Sequence, residues 1–198
     1  MFSGIIKNLG TVVETFTEGS NKTFWIKSDL TPGLHIDQSL CHNGVCLTVE
    51  EIKEDRYRVT AIQETLVKSN IGQLEQGQVV NLEQSITMQT LLDGHIVQGH
   101  VDTTGTCLSK VEDNGSHIFT FKYSHLFNDL IVEKGSIAVN GVSLTAFSCK
   151  DGIFSVGIIP FTLDHTNFKW IGPGDMVNLE FDIIGKYVKK AMPGFLAQ

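Results

Sequence analysis

The 198 residues suffice for one large domain or two of about 100 residues each, and 41% hydrophobic with 19% charged residues suits a globular protein rather than a disordered one. A net charge of −7 repels phosphate backbones, the densest basic stretch (Lys186 to Lys190) holds only three lysines, and no apolar run approaches the roughly 18 residues of a membrane span. Nucleic-acid and membrane partners are therefore set aside. The opening MFSGIIKNLG lacks a basic, long-apolar leader, and Cys41, Cys46, Cys107 and Cys149 fit no zinc or CxxC spacing, so reduced thiols in a cytoplasmic protein without a metal are expected.

In chain order, short β-prone runs fall at 23–26, 46–49, 57–61 and 79–83, then again at 118–121, 143–147, 153–158 and 176–181. Asn43-Gly44, Asn114-Gly115 and Asn140-Gly141 suit tight hairpins, because both positions of such a turn need positive φ. Short helical pieces are expected at 28–34 and 124–130. A final stretch from Ile184 to Met192, ahead of Pro193, has the length of about two helical turns and needs a surface to pack on.

The runs repeat. SLCHNGVCLTV (39–49) recurs as SIAVNGVSLTA (136–146), QETLVKSN (63–70) as PFTLDHTN (160–167) and GQVVNLE (77–83) as GDMVNLE (174–180), all displaced by 97 positions. A weaker match at a displacement of 95 pairs MFSGIIKNLGT (1–11) with IVQGHVDTTGT (96–106). This predicts two homologous domains, 1–89 and 90–184, followed by a tail at 185–198. About six short strands in each points to a small closed barrel, which leaves no sheet edge exposed.

Matched positions hold the fold or bind one ligand twice; unmatched ones let two similar pockets differ. The matched pairs include Gly4/Gly99, Asn43/Asn140, Thr48/Thr145, Thr65/Thr162 and Asn70/Asn167. The Asn-Gly pairs read as turns, whereas paired threonines can hydrogen-bond a polyhydroxylated or heteroaromatic ligand. The differing pairs are Ile5/His100, Cys46/Ser143 and Glu64/Phe161. A histidine such as His100 is a candidate general acid or base, while a strand cysteine such as Cys46 is more often a small buried hydrophobe. On a strand, His95 and His100 would face opposite ways, which argues against a shared metal.

With MFSGII, HNGVCLTV, QETL, GHIVQGHVD, VNGVSLT, IIPFTL and two VNLE segments in this order, the chain resembles the riboflavin synthase family over almost its full length. The resemblance implies an all-β chain: a tandem duplication of a closed six-stranded Greek-key β-barrel with a short C-terminal helix that assembles a homotrimer. It implies an enzyme that dismutates two molecules of 6,7-dimethyl-8-ribityllumazine to riboflavin and 5-amino-6-ribitylaminouracil without added cofactor or metal, at a site between the N-barrel of one subunit and the C-barrel of another. Association with the lumazine-forming enzyme is left open. The implied catalytic residues are Ser39, Cys46, His100, Ser143, Thr145 and Asp182. The implied substrate-binding residues are Gly4, Ile5, Ile6, Cys46, Leu47, Thr48, Thr60, Ala61, Ile62, Gln63, Glu64, Thr65, Gly99, His100 and Val101 in one group. Lys134, Ser143, Leu144, Thr145, Gly157, Ile158, Ile159, Pro160, Phe161 and Thr162 form the other. Ser3, Cys41 and His42 depart from the family pattern, and His42, beside a turn, is expected at the surface. The rival reading is a lumazine protein, a non-catalytic antenna that shares the fold and binds one lumazine or flavin. The CLTV, SLT and Gly99-His100 segments favour the enzyme.

Overall fold

A computed structural model describes residues 1–192; the end of the tail, from Pro193, lies outside the described residues. In the first repeat, strands β1 (Asn8–Glu18), β2 (Asn21–Lys27), β3 (Ser39–His42), β4 (Val45–Thr48), β5 (Glu51–Lys53), β6 (Arg56–Ala61) and β7 (Val79–Gln84) accompany one short helix, α1 (Gln63–Lys68). In the second, β8 (Thr103–Asp113), β9 (Ser116–Lys122), β10 (Ser136–Val139), β11 (Val142–Lys150), β12 (Ile153–Ile158) and β13 (Met176–Phe181) accompany α2 (Pro160–His165). Helix α3 (Ile183–Ala191) follows. The helical pieces expected at 28–34 and 124–130 are 3-10 turns, at Thr31–Gly33 and His125–Leu130.

The second repeat closes as a six-stranded antiparallel barrel in the order β10-β11-β12-β9-β8-β13. The first has the same order with one interruption. The counterpart of β11 is split into β4 and β5 at Val49-Glu50, where Val49 N donates back to Gln38 O and Glu50 N donates onward to Arg58 O. The strand thus changes partners at this corner, and the sheet is barrel-like rather than continuously laddered. Bulges repeat too: β1 shifts register between Val12 and Glu14, and β8 between Cys107 and Ser109, at the same displacement of 95. A bulge bends a long strand so that it can serve both sides of a small barrel.

Each barrel buries its own core. Alternation is plain on β6, where Tyr57, Val59 and Ala61 point inward and Arg56, Arg58 and Thr60 outward. The second core is aromatic, with Phe119, Phe121, Phe154, Phe168 and Phe181 fully buried and Phe168 edge-on to Phe119 at 5.1 Å. The first substitutes a polar pair. His42 is not at the surface: it is 1% exposed, and its Nε2 lies 2.8 Å from Tyr57 Oη. The last residue of β3 faces the barrel interior before the chain turns, so proximity to the turn does not bring it to solvent. The matched residues of the second barrel are Val139 and Phe154.

The barrels dock through their Asn-Gly turns. Asn43, Gly44, Asn140 and Gly141 all have positive φ, and a Cβ on Gly44 would lie 2.9 Å from Gly141 N. Six buried asparagines surround this contact with nearly twofold symmetry. Asn81 Nδ2 donates to Asn140 O and Asn178 Nδ2 to Asn43 O, at 2.9 and 2.8 Å, while Asn167 N donates to Asn81 Oδ1 and Asn70 N to Asn178 Oδ1, at 2.7 and 2.6 Å. Asparagine carries an NH2 donor and a separate carbonyl acceptor on one short side chain, so it can satisfy a backbone C=O and a backbone N–H of the opposite barrel at once. The matched Asn43/Asn140 and Asn70/Asn167 pairs therefore join the barrels.

Candidate active site

Two straps cross at the pseudo-twofold axis. Phe2 N donates to Val97 O at 2.7 Å and Val97 N to Phe2 O at 3.0 Å, so residues 1–6 and 96–101 run antiparallel side by side. Each strap then lies on the barrel of the other repeat. Ser143 N donates to Gly4 O at 2.8 Å, and Cys46 N to Gly99 O at 2.9 Å. Ile6 packs against the second core and Val101 against the first. Glycine is required at both crossings: φ is +77° at Gly4 and +82° at Gly99, and a Cβ would come within 2.5 Å of Ser143 Cβ or 2.6 Å of Cys46 Cβ.

Buried carboxylates hold the straps. Glu83 accepts from Ser3 N, Ser3 Oγ and Gly4 N at 2.7, 2.7 and 3.0 Å. Its repeat partner Glu180 accepts from Gln98 N, Gly99 N and His100 N at 2.6, 2.9 and 2.9 Å. Burial pushes both carboxyls above the ordinary carboxylate range, and the converging N–H donors pull the other way.

Against the first barrel a cleft of about 500 Å³ is lined by Val45, Cys46, Glu64, Thr65, Lys68, Ser69, Gly99, His100 and Val101. The half-buried Cys46 and exposed His100 thus share one pocket, contributed by different repeats. Glu64 closes an ion pair with Lys68 at 2.8 Å along α1. At the matched place in the second barrel, Ser143 replaces Cys46, Ile5 replaces His100, and a Phe161–His165 stack with centroids 4.1 Å apart replaces the ion pair.

Here a second histidine enters. His95 Nδ1 lies 2.7 Å from Ser143 Oγ, the ring is 8% exposed, and Nε2 has no hydrogen-bond partner among the described residues. Burial lowers its pKa, with the nearby Asp182 charge opposing. Asp182 itself caps α3 by accepting from Ile184 N at 2.9 Å. His95, which enters the sequence reading only as a second ligand in a shared metal site with His100, is a partner of the site hydroxyl. One barrel therefore carries a thiol and an imidazole lining one cleft, and the other a hydroxyl bonded to an imidazole that feels the Asp182 charge. Among the described residues no group of three or more His, Cys, Asp or Glu could hold a metal ion, and no helix is long and apolar enough to cross a membrane.

The remaining candidates divide. Ser39 pairs with Thr48, and Ser136 with Thr145, at the strand ends away from the turns; both threonines are exposed. Ser136 and Asp182 line a separate, mainly apolar cavity of about 540 Å³ beneath α3. Lys134, at φ +64°, holds its Nζ 5.1 Å from the Phe147 ring centre. Ile62, Ile159 and Phe161 are solvent-facing, as is Gly157, and Gln63, Pro160 and Thr162 lie in the first turns of α1 and α2. Leu47, Ala61 and Ile158 face the cores, Leu144 packs against the second core, and Thr60 Oγ1 bonds Thr23 and Glu50 on the outer face of its sheet.

The lumazine binding domain model matches residues 3–85 and 98–182, once per repeat. The chain is 35% identical to riboflavin synthase of Actinobacillus pleuropneumoniae, over 96% of its own length and 89% of that protein. It is 34% identical to riboflavin synthase of Bacillus subtilis over 95% and 88%, and 35% identical to that of Schizosaccharomyces pombe over 100% and 96%. Among solved structures, LumP complexed with 6,7-dimethyl-8-(1'-D-ribityl) lumazine superposes with a TM-score of 0.83 at 22% identity, covering 91% of this chain and 99% of that one. LumP complexed with riboflavin gives 0.84 at 24% identity with the same coverage, a likeness of fold.

Proposed function

Since the chain belongs to the riboflavin synthase family, carrying its lumazine binding domain twice, we propose that it dismutates 6,7-dimethyl-8-ribityllumazine. One molecule passes a four-carbon unit to the other, giving riboflavin and 5-amino-6-ribitylaminouracil. The products contain together the atoms and electrons of two substrates, so the reaction calls for no oxidant or reductant. The protein has to bring two identical heterocycles together and move protons between them, which is catalysis by orientation.

The observation that carries the reading is the unlike chemistry of two matched places: Cys46 with His100 in a cleft on one barrel, Ser143 with His95 on the other. A reaction in which one molecule plays donor and another acceptor needs two sites of one shape and two chemistries. In this account Ser143 and Thr145 orient the lumazine of the second barrel. His95 sets the hydrogen-bonding direction of the Ser143 hydroxyl, and Asp182 favours its imidazolium. Cys46 and Thr48 orient the other lumazine, with His100 relaying the methyl proton and Cys46 or a water adding transiently at C7. Ser39 supports Thr48 across the strand pair. The two pockets meet between the N-barrel of one subunit and the C-barrel of its neighbour in a homotrimer built through α3, whose Ile184, Tyr187 and Val188 are exposed in the single chain. The working units are 1–89, 90–184 and the tail 185–198, in a cytoplasmic enzyme.

The test is incubation of metal-free protein with the lumazine alone, following riboflavin absorbance and the aminouracil. One riboflavin for every two lumazines consumed is expected. Tight binding without turnover would move the protein to the non-catalytic, antenna-type lumazine binders.

A further inference from the structure

Glu83 and Glu180 stand outside the proposed chemistry, yet each spends both carboxylate oxygens on a strap. The straps cross between repeats, so the carboxylates act at a distance from their own barrels. Glu83, on β7 of the first barrel, fixes Ser3 and Gly4, and Gly4 lies on Ser143 of the second. Glu180, on β13 of the second barrel, fixes residues 98–100, and these lie on Cys46 of the first. We infer that Glu83 and Glu180 are positioning residues in crossed assignment: Glu83 sets the strap that lies on Ser143 and Glu180 the strap that walls the Cys46 cleft.

The chemistry of the contact explains why a carboxylate is needed. Three donors converge on each group from one strap. A glutamine of equal volume offers one acceptor oxygen and turns an NH2 toward the remaining N–H, replacing an attraction with a repulsion. The strap would then lift from the opposite barrel, because the glycine carbonyl that caps Cys46 N or Ser143 N moves with it. The Glu180 substitution also carries His100 away from Cys46, since His100 N is one of the three donors.

This inference rests on the two-pocket reading only for its consequence in turnover; its geometry is tested without substrate. The probe is iodoacetamide, with alkylation of each cysteine peptide followed by mass spectrometry. Cys46 reports on the first pocket in the parent chain, and S143C in a C46S background places a thiol in the second. Cys149, partly exposed and six residues beyond Ser143 at the far end of β11, is the internal reference. E180Q is expected to speed alkylation of Cys46 about tenfold or more, the factor for a lost charge-assisted hydrogen bond, while leaving the S143C thiol unchanged. E83Q is expected to do the reverse. S3A, which removes one side-chain donor to Glu83 and leaves the backbone intact, is expected to act in the direction of E83Q but more weakly. E180D, keeping the charge, is expected to restore part of the protection that E180Q loses. Should E83Q or E180Q not fold, S3A and E180D carry the same crossed comparison. Equal acceleration at both thiols, acceleration in each carboxylate's own barrel, or none would overturn the assignment. A chain that showed the crossed pattern without dismutating lumazine would instead refute the proposed function.

Discussion

His42 and Tyr57 make the first barrel's core sensitive to acid where the second is not. Burial lowers the His42 pKa from 6.5 to about 4, so the folded chain keeps the ring neutral. Above pH 7 the ring is neutral in both states and costs nothing. As pH falls through 6.5 the unfolded chain takes up a proton that the folded chain refuses down to about pH 4. Stability is therefore lost on acidification, at about 1.4 kcal/mol per pH unit and about 3 kcal/mol in total. Substituting the second barrel's residues separates the terms. H42V removes the titration but strands the buried Tyr57 hydroxyl, at a cost of about 1–3 kcal/mol at neutral pH. H42V/Y57F removes both partners and is expected to match the parent near pH 7 and exceed its stability near pH 4.5. The assay is urea unfolding at several pH values, taking each variant's difference from the parent so that His95, Glu83 and Glu180 cancel. A difference that stays constant with pH would refute the reasoning, as would a double variant no more stable than H42V.

Three further outcomes follow from the docking surface and the site. G44A places a Cβ against Gly141 N at positive φ, and N178A leaves Asn43 O and Asn70 N without partners. Each is expected to cost roughly 2–4 kcal/mol in chemical unfolding, with melting of both barrels, and a neutral result would deny the docking role. H95Q is expected to reduce turnover at least about tenfold with lumazine still bound, and to remove an acid limb of the rate profile lying below the usual histidine range. C46S with full activity would reduce the thiol to packing, whereas the account expects a loss of at least about tenfold in turnover rate.

The duplication made the fold legible. Asn-Gly turns and β-prone runs recurring at a fixed displacement imply two copies of one small barrel, and the sheets have that form. What escaped has physical causes. β1 and β8 are long and bulged, and they expose Phe16, Leu108 and Val111 among their polar residues, so no strict alternation marks them. Six-residue helices such as α1 are too short to show a period. As strand neighbours His95 and His100 would face opposite ways, but Gly99 at φ +82° breaks the extended chain, and the two rings serve different barrels. Glu83 and Glu180 were visible as a repeated VNLE, yet only the crossing of the straps reveals what they hold. The site residues came from the family resemblance; composition alone would not have separated Cys46 from a core cysteine.

Subunit complementation tests the pairing of unlike pockets most directly. C46A and S143A chains would be prepared separately and then as mixed trimers by co-refolding. The account predicts low turnover for each alone and recovered turnover in the mixture, because an intact first barrel of the S143A chain can meet an intact second barrel of the C46A chain. Two weakly active variants whose mixture gains nothing, or single variants that retain full activity, would contradict it.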